Sequence, residues 1–172
     1  MISIRPMRVD DVDRVVEIDR LCYPTPWSAA TYLSELARES LAYYAVAECE
    51  GALAGYGGYW FVPDEAHITT VAVHPDFRRR HIAEGIFVHL VEKALTVGAT
   101  RLTLEYRLGN EAAARLYSKY GFHVEGLRRG YYQDSGEDAV VANLRGIDSE
   151  EFQERFRYLK QQLYDAPTPS ET

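Results

Sequence analysis

Between Val71 and Gly85 the chain reads VAVHPDFRRRHIAEG: an apolar strand, a His74-Pro75-Asp76 turn, three consecutive arginines and an amphipathic helix. The first turn of a helix presents backbone N–H groups without intrahelical partners, at the positive end of the peptide dipole. Beside Arg78, Arg79 and Arg80 this makes an anion site, and phosphate is the anion it suits best. The competing reading is a solvated loop. Cations at a helix start oppose the dipole at a cost of roughly 0.3 kcal/mol or more unless an anion compensates, which favours a phosphate-bearing ligand. Two further side chains that could do chemistry are Glu105 and Tyr117, twelve residues apart across a strand-to-helix passage. By pattern alone Glu105, on the strand face opposite Leu102 and Leu104, reads as a solvated strand-end carboxylate. Tyr117 shares a helix face with Ala113 and Tyr120 and reads as a core tyrosine with a satisfied hydroxyl. The five histidines show no metal-ligand spacing, so no metal site is expected.

The elements that must position these groups follow from hydrophobic periodicity and turn residues. A weakly alternating first strand spans Ile2 to Met7, and Asp10 or Asp11 is expected to cap a helix running to about Leu21. Pro24 and Pro26 interrupt it, and Ser28 is the expected N-cap of a second helix ending near Ser40. Leu41 to Cys49 and Ala52 to Val62 read as a hairpin turned at Glu50-Gly51. Gly55, Gly57 and Gly58 inside its second strand signal a bulge or a close backbone approach. A third strand, His67 to Val73, leads to the arginines and to a helix stopped by Gly98. Arg101 to Tyr106 is a strand, Asn110 caps a helix to Tyr120, and Phe122 to Tyr132 and Asp138 to Leu144 pair last. This order predicts a mixed α/β (α+β) domain over residues 1–146, a mostly antiparallel central sheet flanked by helices. Residues 147–172 read as a helical extension with Asp148 and Glu151 as a capping box, a stripe from Phe152 to Leu163 packed on the domain or on a second copy, and a frayed tail from Asp165.

Several segments, taken in order, resemble the GNAT superfamily of acetyl-CoA-dependent N-acetyltransferases over roughly the first 145 residues. They are Pro26-Trp27-Ser28, Val71-Ala72-Val73 followed by HPDFRRR, LEYRLGNEAAARLYSKYGF from Leu104 to Phe122, and Arg129-Gly130-Tyr131-Tyr132 with Gly136-Glu137-Asp138-Ala139. Within the superfamily the likeness is greatest to the enzymes that acetylate the N-terminal alanine of a small-subunit ribosomal protein. The resemblance implies that Val71, Ala72 and Val73 offer backbone groups to the pantetheine arm, with the Val73 N–H toward the thioester oxygen. It implies that Arg78, Arg79, Arg80, His81, Ile82, Ala83 and Glu84 hold the pyrophosphate, and that Asn110 caps its helix and also touches the cofactor.

The same resemblance makes Glu105 the general base and Tyr117 the general acid of a direct acetyl transfer. A glutamate of ordinary pKa near ~4.3 is a weak base, so it is expected to act through a water or through a raised pKa. Trp27, Tyr131 and Tyr132 are the candidates for the substrate groove. One residue departs from the family's loop: histidine stands at position 81 where the pattern has its first glycine. A histidine is expected to fit there with a negative φ and its ring turned outward, adding one N–H donor. A shifted register, Arg80-x-x-Ala83-x-Gly85, would restore small residues, but the ungapped spacing from Val71 to Glu105 favours the first.

Whole-chain properties bound the partners. At 172 residues, 47% hydrophobic and 26% charged, the chain has the length and composition of one soluble domain. Its net charge of −7 argues against a nucleic-acid binder and is compatible with a basic peptide or amine. No apolar run suits a membrane span, the N-terminus has no signal-peptide pattern, and two isolated cysteines fit a cytoplasmic setting. An α-amine near ~7.7–8.0 is far more often neutral at pH 7 than a lysine near ~10.4, which suits a peptide or protein N-terminus as acceptor, a ribosomal protein among them. The alternatives are a small-molecule amine as acceptor, or a CoA-binding sensor or scaffold without turnover. A monomer or a homodimer is expected.

Overall fold

The structure, a computed structural model, describes residues 1–167. Seven strands form one sheet in the order β1-β2-β3-β4-β5-β7-β6. They are β1 (Ile2–Pro6), β2 (Ala42–Cys49), β3 (Ala52–Val62), β4 (Glu65–Val73), β5 (Arg101–Arg107), β6 (His123–Arg128) and β7 (Ala139–Arg145). The pair β4–β5 is parallel and every other neighbouring pair is antiparallel, the mostly antiparallel mixed sheet that the sequence predicts. Helices α1 (Val12–Cys22) and α2 (Ala29–Leu36) cover one face; α3 (Ile82–Thr96), α4 (Glu111–Lys119) and α5 (Glu150–Asp165) belong to the other.

Two cores follow from strand alternation. Ala42, Tyr44 and Val46 of β2 pack with Val15, Ile18 and Tyr32 of α1 and α2, whereas Ala45, Ala47 and Cys49 pack with Ile86, Phe87 and Leu90 of α3. The glycines of β3 make room for these helices. A Cβ on Gly57 would stand 2.6 Å from Ile86 Cγ2, and one on Gly58 2.3 Å from the Tyr44 ring, so the close approach read from the sequence is real.

Some ends differ from the sequence reading, each because a particular partner wins. Asp11 does not cap α1: Arg5 takes its two oxygens at 2.7 and 2.9 Å, and the carboxylate accepts the Arg8 N–H, capping a 3-10 turn instead. Helix α2, capped by Ser28 as expected, ends at Leu36, where the Arg38 carbonyl accepts the Leu41 and Ala42 N–H groups and turns the chain. Ser149 rather than Asp148 caps α5, its Oγ accepting the Phe152 N–H at 3.2 Å. Strand β6 stops at Arg128 because Gly130, at φ +58°, turns the chain out of the ladder, so Tyr131 and Tyr132 lie in a loop. Phe156 and Leu159 of α5 join the α3 core. The expected tail lies, from residue 168 onward, outside the described residues.

The detail that matters most is where β4 and β5 part. Their parallel ladder covers Glu65–Ile68 against Arg101–Leu104 and goes no further. Opposite β3, Thr69 is an extra residue: Tyr59 faces Ile68 and Gly58 faces Thr70. A bulge there shifts the side-chain alternation by one, so Ala66 and Ile68, then Val71 and Val73, point to the α3 side while Ala72 joins the α1 side. Bulges bend strands, and β4 leaves β5 at this residue.

Candidate active site

A cleft of about 850 Å³ occupies the gap, lined by Thr69–Val73 of β4, Glu105–Arg107 of β5, the start of α3, part of α4 and the end of α1. On β4, the His74 N–H bonds the Ala54 carbonyl of β3, and strand alternation then turns Val71 and Val73 the other way. Their carbonyls accept side chains in the cleft: Tyr23 Oη donates to Val71 at 3.3 Å, and Cys22 Sγ and Arg78 Nε donate to Val73, each at 3.4 Å. The strand therefore turns main-chain polar groups toward the cleft.

The arginine loop forms one end of the cleft. Arg79 and His81 both occupy the left-handed region, φ +61° and +58°, on either side of Arg80. This corrects the negative φ expected for His81: the histidine takes the conformation that the glycine pattern calls for. Histidine enters this region more often than most non-glycine residues, at a cost of about 1 kcal/mol. As the N-cap of α3, His81 accepts the Gly85 N–H on its carbonyl. Its ring lies at the surface, Nδ1 3.6 Å from Glu84. Left-handed residues alternating along a chain make successive N–H groups converge on a concavity suited to an anion.

The arginines diverge. Arg78 and Arg79 line the cleft; Arg80 does not, lying over the Phe77 ring with Nη1 3.5 Å from Glu50. Ile82 and Ala83 line it too. Glu84 borders the same end, but its carboxylate is directed at α4, where Lys119 Nζ and Tyr120 Oη donate to it at 2.5 and 2.7 Å. Burial alone would raise its pKa; those two donors bring it below the usual value. Asn110 Oδ1 accepts the Ala113 N–H at 3.0 Å, so it caps α4 while lining the cleft.

Glu105 and Tyr117 both line the cleft. Tyr117 is buried among Phe87, Tyr106 and Phe122, with ring centroids 5.5–5.9 Å apart. Burial raises its pKa, so the phenol stays protonated and able to donate. Glu105 is fixed by a residue that the sequence reading missed: His67 Nε2 donates to its Oε2 at 2.6 Å, and Arg128 Nη2 stands 3.6 Å from Oε1. The His67 hydrogen bond outweighs burial and lowers the pKa, so the raised pKa expected for this carboxylate is overturned. Nothing in spacing could have found His67, because the carboxylate that it binds is 38 residues away.

Beyond Glu105 the cleft is aromatic. The Trp27 N–H donates to buried Asp19 at 2.7 Å, and its ring lies 5.3 Å from Tyr32 and nearly parallel to Trp60 at 6.4 Å. Asp19, Tyr23, Trp60 and Arg107 also escaped the sequence reading. Tyr132 lines the cleft, its pKa pushed up to about 12 by burial, whereas Tyr131 is half exposed and stands outside, packed edge-on against it at 5.2 Å. Among the described residues no group of three or more His, Cys, Asp or Glu is placed to hold a metal, and no helix is long and apolar enough to cross a membrane.

Comparison with known proteins agrees with this geometry. A Bacillus subtilis (strain 168) protein, provisionally named as a [ribosomal protein bS18]-alanine N-acetyltransferase, is 40% identical over 139 residues, covering 81% of this chain and 92% of that protein. The [ribosomal protein bS18]-alanine N-acetyltransferase of Escherichia coli (strain K12) is 30% identical over 146 residues, 84% of this chain and 97% of that one. The crystal structure of the Escherichia coli ribosomal-protein-S18-alanine N-acetyltransferase superposes with a TM-score of 0.77 at 29% identity, covering 84% and 94%. Residues 12–122 match the model of the acetyltransferase (GNAT) family. With its parted strands and with its arginine loop and carboxylate on one cleft, the chain belongs to the GNAT family of acetyltransferases.

Proposed function

We propose that this protein transfers the acetyl group of acetyl-CoA directly to the α-amine of a protein N-terminus, an alanine-initiated ribosomal protein being the leading acceptor class. The observation that carries the reading is the ionised Glu105, anchored by His67, on the same cleft as a protonated, buried Tyr117 and the outward carbonyls of Val71 and Val73. The cleft fits the cosubstrate chemically. Its main-chain groups suit pantetheine amides, and the Arg78–Ala83 loop at the start of α3 suits a diphosphate. Acetyl-CoA, when bound, supplies an activated thioester carbonyl.

The chain's own residues do the remainder. Glu105 accepts the proton that the attacking amine must lose, and the His67 N–H keeps that carboxylate ionised and aimed. The Val73 N–H, on a strand that lines the cleft, stabilises the developing oxyanion. Tyr117 donates from its hydroxyl to the departing sulfur. Trp27 and Tyr132 border the acceptor amine's approach; Tyr131 supports Tyr132 from outside. An α-amine suits one weak carboxylate base better than a lysine does, because more of it is already neutral at pH 7. Cys22 and Cys49, both free thiols, support a reducing, cytoplasmic compartment, and burial of the α5 stripe in its own core supports a monomer over a homodimer.

The test is turnover with a basic peptide that begins with alanine. Purified protein should release CoA and acetylate the peptide's α-amine, and Tyr117→Phe should lower kcat by about 10²-fold. Acetylation of small amines with no peptide dependence would replace the acceptor class. Tight CoA binding with no transfer to any amine would leave a sensor instead, a reading that gives the Glu105–His67 pair no task.

A further inference from the structure

Arg107 ends β5, two residues beyond Glu105 and on the same strand face. It also lines the cleft, yet its charge is committed to the loop that joins β6 to β7. Nη1 donates to Asp134 Oδ1 at 3.2 Å and to Ser135 Oγ at 3.3 Å, Nη2 lies 3.1 Å from Asp134 Oδ2, and Glu137 Oε1 is 3.6 Å away. The guanidinium carbon sits 4.0 Å from the centroid of the Tyr132 ring. Glu137 adds a tie of its own by accepting the Gly109 N–H at 2.9 Å.

The loop has little else to hold its tip. Ladder pairing between β6 and β7 ends at Arg128 and Ala139. Within the loop, the Tyr132 and Gly136 N–H groups bond the Glu137 and Tyr132 carbonyls, and the Gly130 N–H bonds Asp138, so these bonds close the loop on itself rather than onto the sheet. The Leu108 N–H reaches the Asp138 carbonyl at its base. A planar guanidinium that grips one carboxylate with both nitrogens while stacking on a ring fixes position and orientation together, which an ammonium cannot do.

We propose that Arg107 is a positioning residue for the acceptor: it clamps the 129–138 loop over the cleft so that Tyr132 forms the acceptor wall beside Glu105, and so sets acceptor affinity without contacting the cofactor end. This rests on the acetyl-transfer reading above, and its test has an arm that does not depend on turnover. In Arg107→Ala the KM for the alanine-initiated peptide rises about ten-fold or more, while the KM for acetyl-CoA and the calorimetric affinity for CoA stay at wild-type values. Trypsin cleavage after Arg128 and Arg129, followed by mass spectrometry, accelerates about ten-fold as the loop opens. Arg107→Lys keeps the charge but shows both effects in weaker form, and Asp134→Asn adds little on top of Arg107→Ala. If Arg107→Ala fails to fold, Arg107→Lys and Asp134→Asn carry the same measurements. Unchanged trypsin cleavage, an unchanged peptide KM, or a raised acetyl-CoA KM would overturn the proposal. A wild-type protein that acetylates no peptide refutes the acceptor function, and the trypsin arm then decides the clamp separately.

Discussion

Glu105 is a weaker base in the folded chain than in water, because the His67 N–H favours its ionised form. What the site gains is constancy of charge. The folded pKa lies below the unfolded one, so the associated stabilisation is complete above the ordinary carboxylate range and is lost as pH falls through the lowered value. Between pH 6 and 9, therefore, Glu105 does not titrate. The rate of peptide acetylation should rise across that range with the acceptor's own α-amine, near ~7.7–8.0, and an inflection that follows the peptide's amine pKa in a series of peptides is the check. Glu105→Gln should remove at least ~10²-fold of kcat at every pH in the range, read by CoA release. His81 offers a second test at this scale. At φ +58° it bears a cost that glycine does not, and its ring makes no short hydrogen bond, so His81→Gly should raise the unfolding free energy by about 0.5–1 kcal/mol in urea titration.

The cleft exists because one strand changes course. β4 pairs with β5 for four residues, takes up an extra residue at Thr69, and then turns the backbone of Val71 and Val73 toward the gap. The helices beside it depend on the glycines of β3. Gly57→Ala would drive a methyl against Ile86 Cγ2, at a position 2.6 Å away, with the Thr70 carbonyl at 3.1 Å, so it should destabilise the protein by about 1–3 kcal/mol, measured by thermal unfolding. Most elements were legible from periodicity and punctuation: Ser28 and Asn110 cap where their side chains say, and Gly98 and Gly121 end helices at positive φ. The misreadings share one cause. Asp11 and Asp148 have the chemistry of caps, but Arg5 claims the first and Ser149 stands one residue nearer the helix than the second. A cap is a local motif only when no distant residue competes for it.

At the scale of the whole molecule, α5 belongs to the same body as the sheet. Phe156 is buried against Tyr120, the residue that also donates to Glu84 at the start of α3, so the C-terminal helix backs the junction of α3 and α4. Phe156→Ala should cost about 3–5 kcal/mol, seen as a lowered Tm. The order of strands and helices, the arginine loop after β4 and the placing of Glu105 and Tyr117 at a strand end and on the helix that follows could be read directly from the chain, because periodicity, turn residues and a family's motif are all local in sequence. Only the folded structure could bring His67 to Glu105 and Arg107 to the loop before β7, since each depends on which strands become neighbours across tens of residues. Spacing records what a segment can become; the sheet order and the bulge decide what it meets.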